Sequence, residues 1–168
     1  MKAKPKERII LGIDPGTALT GFGLVHEQDD ELKLVECGCI RTASTLPMPE
    51  RLRLIAEDLE QLICEYQPDE VAVEQLFFFR NVSTAISVGQ ARGVMLVTAC
   101  RAKVAIFEYT PLQVKQTVTG YGRADKKQVQ EMVKMILGLK AVPKPDDAAD
   151  ALAIAITHAR FGNVARSS

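Results

Sequence analysis

Apolar and polar residues alternate along the chain in patterns that predict five strands. A continuous apolar run from Arg8 to Asp14 is typical of a central strand covered on both faces. Two further strands, at residues 20–25 and 32–41, are separated by a polar hairpin turn at residues 26–31. Three strands with such short connections predict an antiparallel meander. Shorter apolar runs at residues 70–74 and 104–108 predict the remaining two strands.

Apolar residues at helical spacing mark five further elements. After a proline-marked loop at residues 46–50, the predicted helices span residues 52–67, 82–101, 111–118, 126–137 and 147–160. Pro111 lies in the first turn of the third helix, and Gly138 ends the fourth. The last helix consists largely of alanine and other small apolar residues, which predicts that it packs closely on a neighbouring sheet.

The order of these elements predicts an α/β protein. A meander followed by alternating helices and strands gives a five-stranded mixed sheet with helices on both faces, which is a ribonuclease H-like fold. A length of 168 residues suits one domain with a substantial core. We therefore expect residues 1–168 to form a single domain, with disordered tails at residues 1–7 and 163–168.

Composition narrows the class of protein only a little. Apolar residues make up 47% of the chain and charged residues 25%, which is ordinary for a soluble globular protein. The sequence contains no apolar run of transmembrane length, and we expect no signal peptide because no hydrophobic region follows the lysine-rich residues 1–6. Its four cysteines have no zinc-site spacing, so we expect a reduced, cytoplasmic protein. The net charge is zero, so any binding of nucleic acid depends on a local basic patch.

Four carboxylates lie where the predicted elements should meet. Asp14 ends the first strand and Glu74 ends the fourth, while Asp147 and Asp150 share one face of the last helix. Each has an ordinary explanation by itself: a turn, a solvated strand end, or compensation of a helix dipole. However, the carboxyl ends of neighbouring strands line one crevice in an α/β sheet. We therefore expect the four side chains to converge there.

Converging carboxylates repel one another unless cations lie among them. Ligands that are all oxygens favour Mg²⁺ or Mn²⁺ over zinc. Two such ions about 4 Å apart can activate water for phosphodiester hydrolysis and stabilise the leaving oxygen. His158 lies eleven residues beyond Asp147, about 16 Å along a helix, and is expected to be structural. The four acidic residues are thus the predicted catalytic residues and metal ligands.

Aromatic and basic residues near these acids are candidates for contact with DNA. Phe77, Phe78 and Phe79 follow the fourth strand, and because strand side chains alternate, at least one should project near the site and stack on bases. Arg80 could reach a phosphate. The dense basic cluster of the sequence should border the same crevice and neutralise phosphates. It consists of Lys115, Arg123, Lys126 and Lys127.

The predicted helix at residues 82–101 carries a row of small side chains at every fourth position: Ala85, Gly89 and Gly93. A helix that is apolar on more than one side is either fully buried or has a partner. One side can pack on the sheet and the other on the same helix of a second copy. These three residues are therefore the predicted homodimer interface, which would place two active sites symmetrically.

Five motifs resemble the RuvC family of bacterial Holliday junction resolvases, in the same order from Arg8 to His158. They are GIDPGT at 12–17, VEQLF at 73–77, GQARG at 89–93, VKQTV at 114–118 and DAADALA at 147–153. The resemblance implies a homodimer that uses a divalent metal to nick two opposed strands of a four-way DNA junction, leaving 5′-phosphate and 3′-hydroxyl ends. It also implies a role for the four carboxylates in catalysis, for Phe77, Lys115 and Lys126 at the DNA, and a branch-migration motor of the RuvA and RuvB type as partner.

Three other classes of protein share some of these sequence features. An actin-like sugar kinase or ATPase has a phosphate loop similar to residues 12–17, but it needs a second such domain that 168 residues cannot accommodate. A non-catalytic junction-binding module would gain nothing from four acids beside phosphates. A general ribonuclease H or exonuclease would share the metal chemistry, and only its substrates would distinguish it.

Overall fold

The structure is a computed structural model that describes residues 7–75 and 81–166, with side chains described as far as Phe161. Ten elements lie in these ranges. In chain order they are β1 (Glu7–Asp14), β2 (Leu19–Gln28), β3 (Glu31–Arg41), α1 (Met48–Tyr66), β4 (Glu70–Glu74), α2 (Val82–Arg101), β5 (Ala105–Tyr109), α3 (Pro111–Thr119), α4 (Lys126–Ile136) and α5 (Asp146–Arg166).

The five strands form one mixed sheet in the order β3-β2-β1-β4-β5. The β1/β2 and β2/β3 pairs are antiparallel, whereas the β1/β4 and β4/β5 pairs are parallel. One face of the sheet packs with α3, α4 and α5, and the other packs with α1 and α2. The predicted ribonuclease H-like fold is therefore confirmed. No helix within the described ranges combines the length and the apolar character needed to cross a membrane.

Helix α5 lies unusually close to the sheet because glycines face it. A Cβ atom at Gly12 would lie 2.1 Å from the Ala151 carbonyl oxygen, and one at Gly21 would lie 2.1 Å from the Asp147 carbonyl oxygen. The strands therefore leave room for the helix backbone itself, and Ala151 is fully buried against them. This contact holds the first turns of α5 directly over the ends of β1 and β2.

A buried polar cluster joins the same helix to four strands, β1, β2, β4 and β5. The Arg8 guanidinium donates hydrogen bonds to the carboxylates of Glu27 and Glu70. His158 Nε2 lies 2.8 Å from Glu70 Oε2, and its Nδ1 lies 2.6 Å from the Tyr109 hydroxyl. Paired burial of this kind is needed to offset the cost of taking charges out of water. The cluster gives His158 a structural position, as its distance from Asp147 predicted.

The predicted hairpin turn at residues 26–31 is too wide. Strand β2 continues to Gln28, and the turn consists of Asp29 and Asp30, whose φ angles are 50° and 68°. Left-handed residues at both positions of a two-residue turn match the twist of the strands. Polar residues at 26–28 suggested a loop, but they lie in the sheet.

Two predicted helix boundaries are also wrong. Helix α1 begins at Met48, inside the predicted proline-marked loop, because Pro49 fits the first turn of a helix. Helix α5 continues to Arg166, so residues 163–166 are helical and the predicted C-terminal tail begins too early. A glycine such as Gly162 costs a helix only about 1 kcal/mol relative to alanine and need not end it. Residues 1–6 and 167–168 of the predicted tails lie outside the described residues, whereas Glu7 belongs to β1.

Candidate active site

The ends of β1 and β4 bring two of the predicted carboxylates together. The parallel register pairs Ile13 with Val73, so Asp14 and Glu74 end neighbouring strands at the same level. Side chains two residues apart in a strand point to the same face. Because Gly12 and Ala72 face α5, both carboxylates point toward that helix.

Helix α5 supplies the other two carboxylates. The Asp147 carbonyl oxygen lies over Gly21, which pairs with Asp14 in the antiparallel β1/β2 ladder. Asp150, on the same face of the helix, lines a cavity of about 200 Å³ together with Asp14 and Glu74. Asp147 is partly buried just outside the cavity lining, and its charge acts on Asp14.

The carboxylates in this cavity are buried and repel one another, and both effects raise their pKa values. Burial, with repulsion from the other three carboxylates as a second cause, raises the pKa of Asp14 from 3.8 to about 8. Burial and then the charge of Asp150 raise the pKa of Glu74 from 4.5 to about 7. Burial also raises the pKa of Asp150. A cation among these groups would favour their ionised forms and so lower the three pKa values.

The donor set therefore fits a divalent metal ion. Its ligand atoms are carboxylate oxygens, which suit Mg²⁺ or Mn²⁺, and they share one cavity. Within the described ranges, no three acidic, histidine or cysteine side chains already stand in the geometry of a bound ion. Small side-chain movements would be part of binding. The number of ions stays a prediction.

Two predicted lysines lie at the same cavity. Lys126 Nζ is 2.9 Å from Asp150 Oδ2, and this hydrogen bond raises the pKa of Lys126. Lys115 lines the cavity, and its charge opposes the rise in the pKa of Glu74. In the described structure, Lys126 thus supplies part of the positive charge that the acidic site requires.

Helix caps place these lysines, and they are a signal that the sequence interpretation missed. Thr110 and Gln113 form a reciprocal capping box at the start of α3, and Asp125 and Gln128 form another at the start of α4. Each box satisfies backbone N–H groups that would otherwise lack partners at a helix end. Both segments show this pattern in the sequence, a capping residue followed three positions later by glutamine. One pair comes just before Lys115, and the other flanks Lys126.

The remaining predicted contacts with DNA are not brought into the cavity. Arg123 and Lys127 are exposed beside the start of α4 and do not line it. Phe77 and Arg80 lie outside the described residues, so their roles stay predictions. Gln75 is the last residue described before that segment.

Helix α2 presents an apolar surface on the side opposite its buried face. Ala91 and Met95 are buried against the sheet, whereas Val82, Ile86 and Val97 are 72%, 58% and 52% exposed. Among the predicted interface residues, Gly93 is exposed with no atom within 4 Å of a Cβ at that position. The other two, Ala85 and Gly89, are partly buried along the same helix.

Comparison with known proteins shows the family of this chain. Residues 10–158 match the family model for RuvC, described as crossover junction endodeoxyribonuclease RuvC. The chain belongs to the RuvC family. It is 58% identical over 156 residues to the RuvC of Desulfitobacterium hafniense, covering 93% of this chain and 94% of that protein. It is 59% identical over 152 residues to the RuvC of Brevibacillus brevis, covering 90% and 92%.

A solved structure of a RuvC protein shows the same fold. The structure described as T. thermophilus RuvC in complex with Holliday junction substrate has a TM-score of 0.90 and 39% sequence identity, and the match covers 94% of this chain and 96% of that one. The predicted family is confirmed, and with it the enzyme class, a crossover junction endodeoxyribonuclease. The acidic cavity lies within the matched residues.

Proposed function

We propose that this chain resolves four-way DNA junctions by hydrolysing one phosphodiester bond in each of two opposed strands. The observation that supports it most is the cavity in which Asp14, Glu74 and Asp150 meet, with Lys115 and Lys126 at its wall. A member of the same family, from T. thermophilus, has been solved with a Holliday junction substrate. The reaction is metal-dependent hydrolysis that leaves 5′-phosphate and 3′-hydroxyl ends.

The four carboxylates would hold two Mg²⁺ or Mn²⁺ ions. Asp14, Glu74 and Asp150 line one cavity and Asp147 lies partly buried outside its lining, so these side chains would hold the ions. When bound, the ions supply an activated water and a counter-charge for the leaving oxygen. The role of the protein is to hold these ligands on rigid elements, two of them on strand ends and two on the helix that packs against those strands.

Basic side chains would hold the scissile strand against the cavity. Lys115 and Lys126 line the cavity beside the acids and would neutralise a phosphate there. Lys126, which contacts Asp150 in this structure, would contact the DNA when a cation neutralises that acid instead. Arg123 and Lys127 would extend the path of the backbone across the exposed start of α4. Because these contacts release counterions, binding should weaken with salt despite the zero net charge of the chain. Phe77 and Arg80 would act at the bases and phosphates nearby.

The functional unit would be a homodimer. The exposed apolar face of α2, with Ile86 and Val97 more than half exposed, is suited to pack against its twin. A two-fold dimer presents two acidic cavities to a junction that has approximate two-fold symmetry. A branch-migration motor of the RuvA and RuvB type is the further partner that the family implies.

The location proposed for this enzyme is the cytoplasm. All four cysteines are free, and Cys64 and Cys100 are exposed. Exposed unpaired thiols persist in a reducing compartment. Bacterial DNA, the proposed substrate, lies in the same compartment.

The deciding experiment compares a synthetic mobile four-way junction with a matched linear duplex and an RNA–DNA hybrid, each with Mg²⁺ or Mn²⁺. Wild type should nick the junction symmetrically in two strands and leave the other substrates largely intact. Asp14→Asn should bind the junction but lose more than about 100-fold in cleavage rate, since even an outer partner of a metal ligand is worth about 10–100-fold. Cleavage of all three substrates at equal rates would favour a general nuclease, and binding without cleavage by wild type would favour a junction-binding module.

A further inference from the structure

The peptide group that follows the side chain of Glu74 is held at both of its polar ends. The Gln75 N–H donates to the Tyr109 carbonyl oxygen of β5 at 2.8 Å. The Glu74 carbonyl oxygen accepts a hydrogen bond from Arg92 Nε of α2 at 3.3 Å. A peptide group is planar, and its N–H and C=O point in opposite directions. These two contacts therefore fix the orientation of the strand end that carries the carboxylate.

Arg92 reaches this peptide from the face of the sheet opposite the cavity. Glu74 follows Ala72, whose side chain packs with α5, so its carboxylate points to that face. Helix α2 packs on the other face, where Val71 and Val73 of the same strand are buried. Arg92 is thus well placed to hold the backbone of Glu74 without entering the cavity.

A second contact holds Arg92 itself. Its Nη2 lies 2.6 Å from Glu108 Oε1 on β5, and the Arg92 side chain is 17% exposed. The planar guanidinium carries several N–H donors in a fixed fork, so one residue can bond the carbonyl and the carboxylate at once. Arg92 therefore ties α2 to the ends of both β4 and β5.

The strand end needs such an anchor because its side chain is repelled from the helix in front of it. The negative charge of Asp150 on α5 is one of the causes that raise the pKa of Glu74. Strand β4 ends at Glu74 itself. A contact from the back of the sheet opposes the repulsion at the point where the ladder ends.

We infer that Arg92 is a positioning residue for Glu74, which it holds at the cavity through the Glu74 carbonyl oxygen while Glu108 holds Arg92. This inference rests on the proposed function for the role of Glu74. Arg92 lies on α2, the helix of the proposed dimer interface, so this helix would also help to hold the active site in place. Arg92 touches neither substrate nor metal in this assignment.

Three variants separate positioning from a simple ion pair. Arg92→Met removes both contacts. Arg92→Lys keeps a positive charge for Glu108 but lacks the fork that bonds two groups at once. Glu108→Gln keeps a polar partner for Arg92 and leaves the carbonyl contact in place. Arg101→Met, in the last turn of the same helix and exposed, is the matched control.

The variants are compared as the full chain in three measurements. Single-turnover cleavage of the four-way junction gives the maximal rate and the protein concentration at half that rate. The resonance signal of free Mn²⁺ gives ion binding without DNA, and thermal melting gives stability. A shift of about 1 Å in a catalytic group can cost about 100-fold in rate. We expect Arg92→Met and Arg92→Lys to lose about 10- to 100-fold in maximal rate and to bind Mn²⁺ at least about threefold more weakly, with half-saturation within about twofold of the control.

The outcomes also distinguish this inference from the proposed function. If Arg92→Lys equals wild type in rate and Mn²⁺ binding, or if Arg92→Met equals Arg101→Met, the positioning role is wrong. If Arg92→Met fails to fold, Arg92→Lys and Glu108→Gln decide, with Glu108→Gln expected to lose less than Arg92→Lys. If wild type cuts no junction at all, the proposed function fails, while Mn²⁺ binding still reports whether Arg92 supports Glu74.

Discussion

At the scale of single residues, the chemistry of the site is set by carboxylates that resist ionisation. Asp14 has a pKa of about 8 and Glu74 one of about 7, chiefly because both are buried. Near neutral pH, part of the negative charge of the carboxylates in the cavity is therefore cancelled, either by bound protons or by Lys126, whose ammonium group contacts Asp150. A divalent ion would replace both kinds of positive charge, so its binding should release protons.

Without divalent ions, the stability of the protein should fall as pH rises from about 4 to about 8, through the contribution of Asp14. The pKa of Asp14 is higher in the folded chain than its ordinary 3.8, so the folded state binds more protons between these two values. A state that binds more protons loses stability as pH rises. Urea denaturation in the presence of a chelator, at pH 5 and pH 8.5, measures the effect.

Asp14→Asn provides the comparison for that measurement. The amide introduced at position 14 cannot ionise, so the free energy of unfolding of the variant should fall less with rising pH than that of wild type. The variant should therefore be the more stable protein at pH 8.5. Added Mg²⁺ should stabilise wild type more than the variant. Parallel pH dependences for the two proteins would show that the pKa of Asp14 is not raised in the folded state.

At the scale of elements, the site depends on the close contact between α5 and the sheet. Asp150 reaches the cavity, and Asp147 lies just outside its lining, because glycines at 12 and 21 leave room for the helix backbone. The capping boxes that begin α3 and α4 then place Lys115 and Lys126 at the same cavity. The geometry of the acids is thus a property of how rigid elements pack.

Gly21→Ala should disrupt this packing. The new methyl group would lie 2.1 Å from the Asp147 carbonyl oxygen, so the start of α5 must move away from β2. Forced overpacking of this kind costs about 1–3 kcal/mol, and displacement of the carboxylates should lower the cleavage rate by at least about tenfold. Chemical denaturation and single-turnover cleavage measure the two effects.

Gly38→Ala on the neighbouring strand is the matched control. There the nearest atoms belong to the outer edge of the Phe22 ring, which can shift without moving a helix. The control should keep its cleavage rate even if it loses some stability. Equal losses of rate in the two variants would mean that the approach of α5 at Gly21 does not position the acids.

At the scale of the whole molecule, the two faces of the sheet carry different features: the acidic cavity on one and an exposed apolar helix surface on the other. One face carries α5, α3 and α4 and forms the cavity. The other carries α1 and α2, and α2 leaves an apolar surface exposed around Ile86 and Val97. On that second face, Arg92 of α2 contacts the end of β4 and Glu108 of β5, so a dimer formed through α2 would lie directly behind each active site.

Ile86→Lys should convert the proposed homodimer into monomers. The side chain is 58% exposed in the single chain, so a lysine there is tolerated in the monomer but would bury a charge in a dimer. Sedimentation velocity measures the oligomeric state, and the fraction of junctions nicked in both strands should fall with it. Glu60→Lys, on an exposed position of α1, is the control. An unchanged dimer of Ile86→Lys would exclude this surface as the interface.

Local sequence determined most of the elements and the positions of the acids. The bounds of β4 and α2 follow from apolar runs ended by polar residues, and Asp14 and Glu74 could be placed because parallel neighbours end at one edge of a sheet. The extent of β2 and the first turn of α1 were misjudged, since polar residues in a strand and a proline in a first helical turn look like loop signals.

Which side chains face one another depends on the tertiary structure and could not be predicted from the sequence. The raised pKa of Asp14, the contact of Lys126 with Asp150, and the hold of Arg92 on Glu74 join residues that are far apart in the chain. Spacing along a sequence specifies the face and end of an element on which a residue lies. It does not specify how closely two elements approach, and burial, repulsion and hydrogen bonding all depend on that distance.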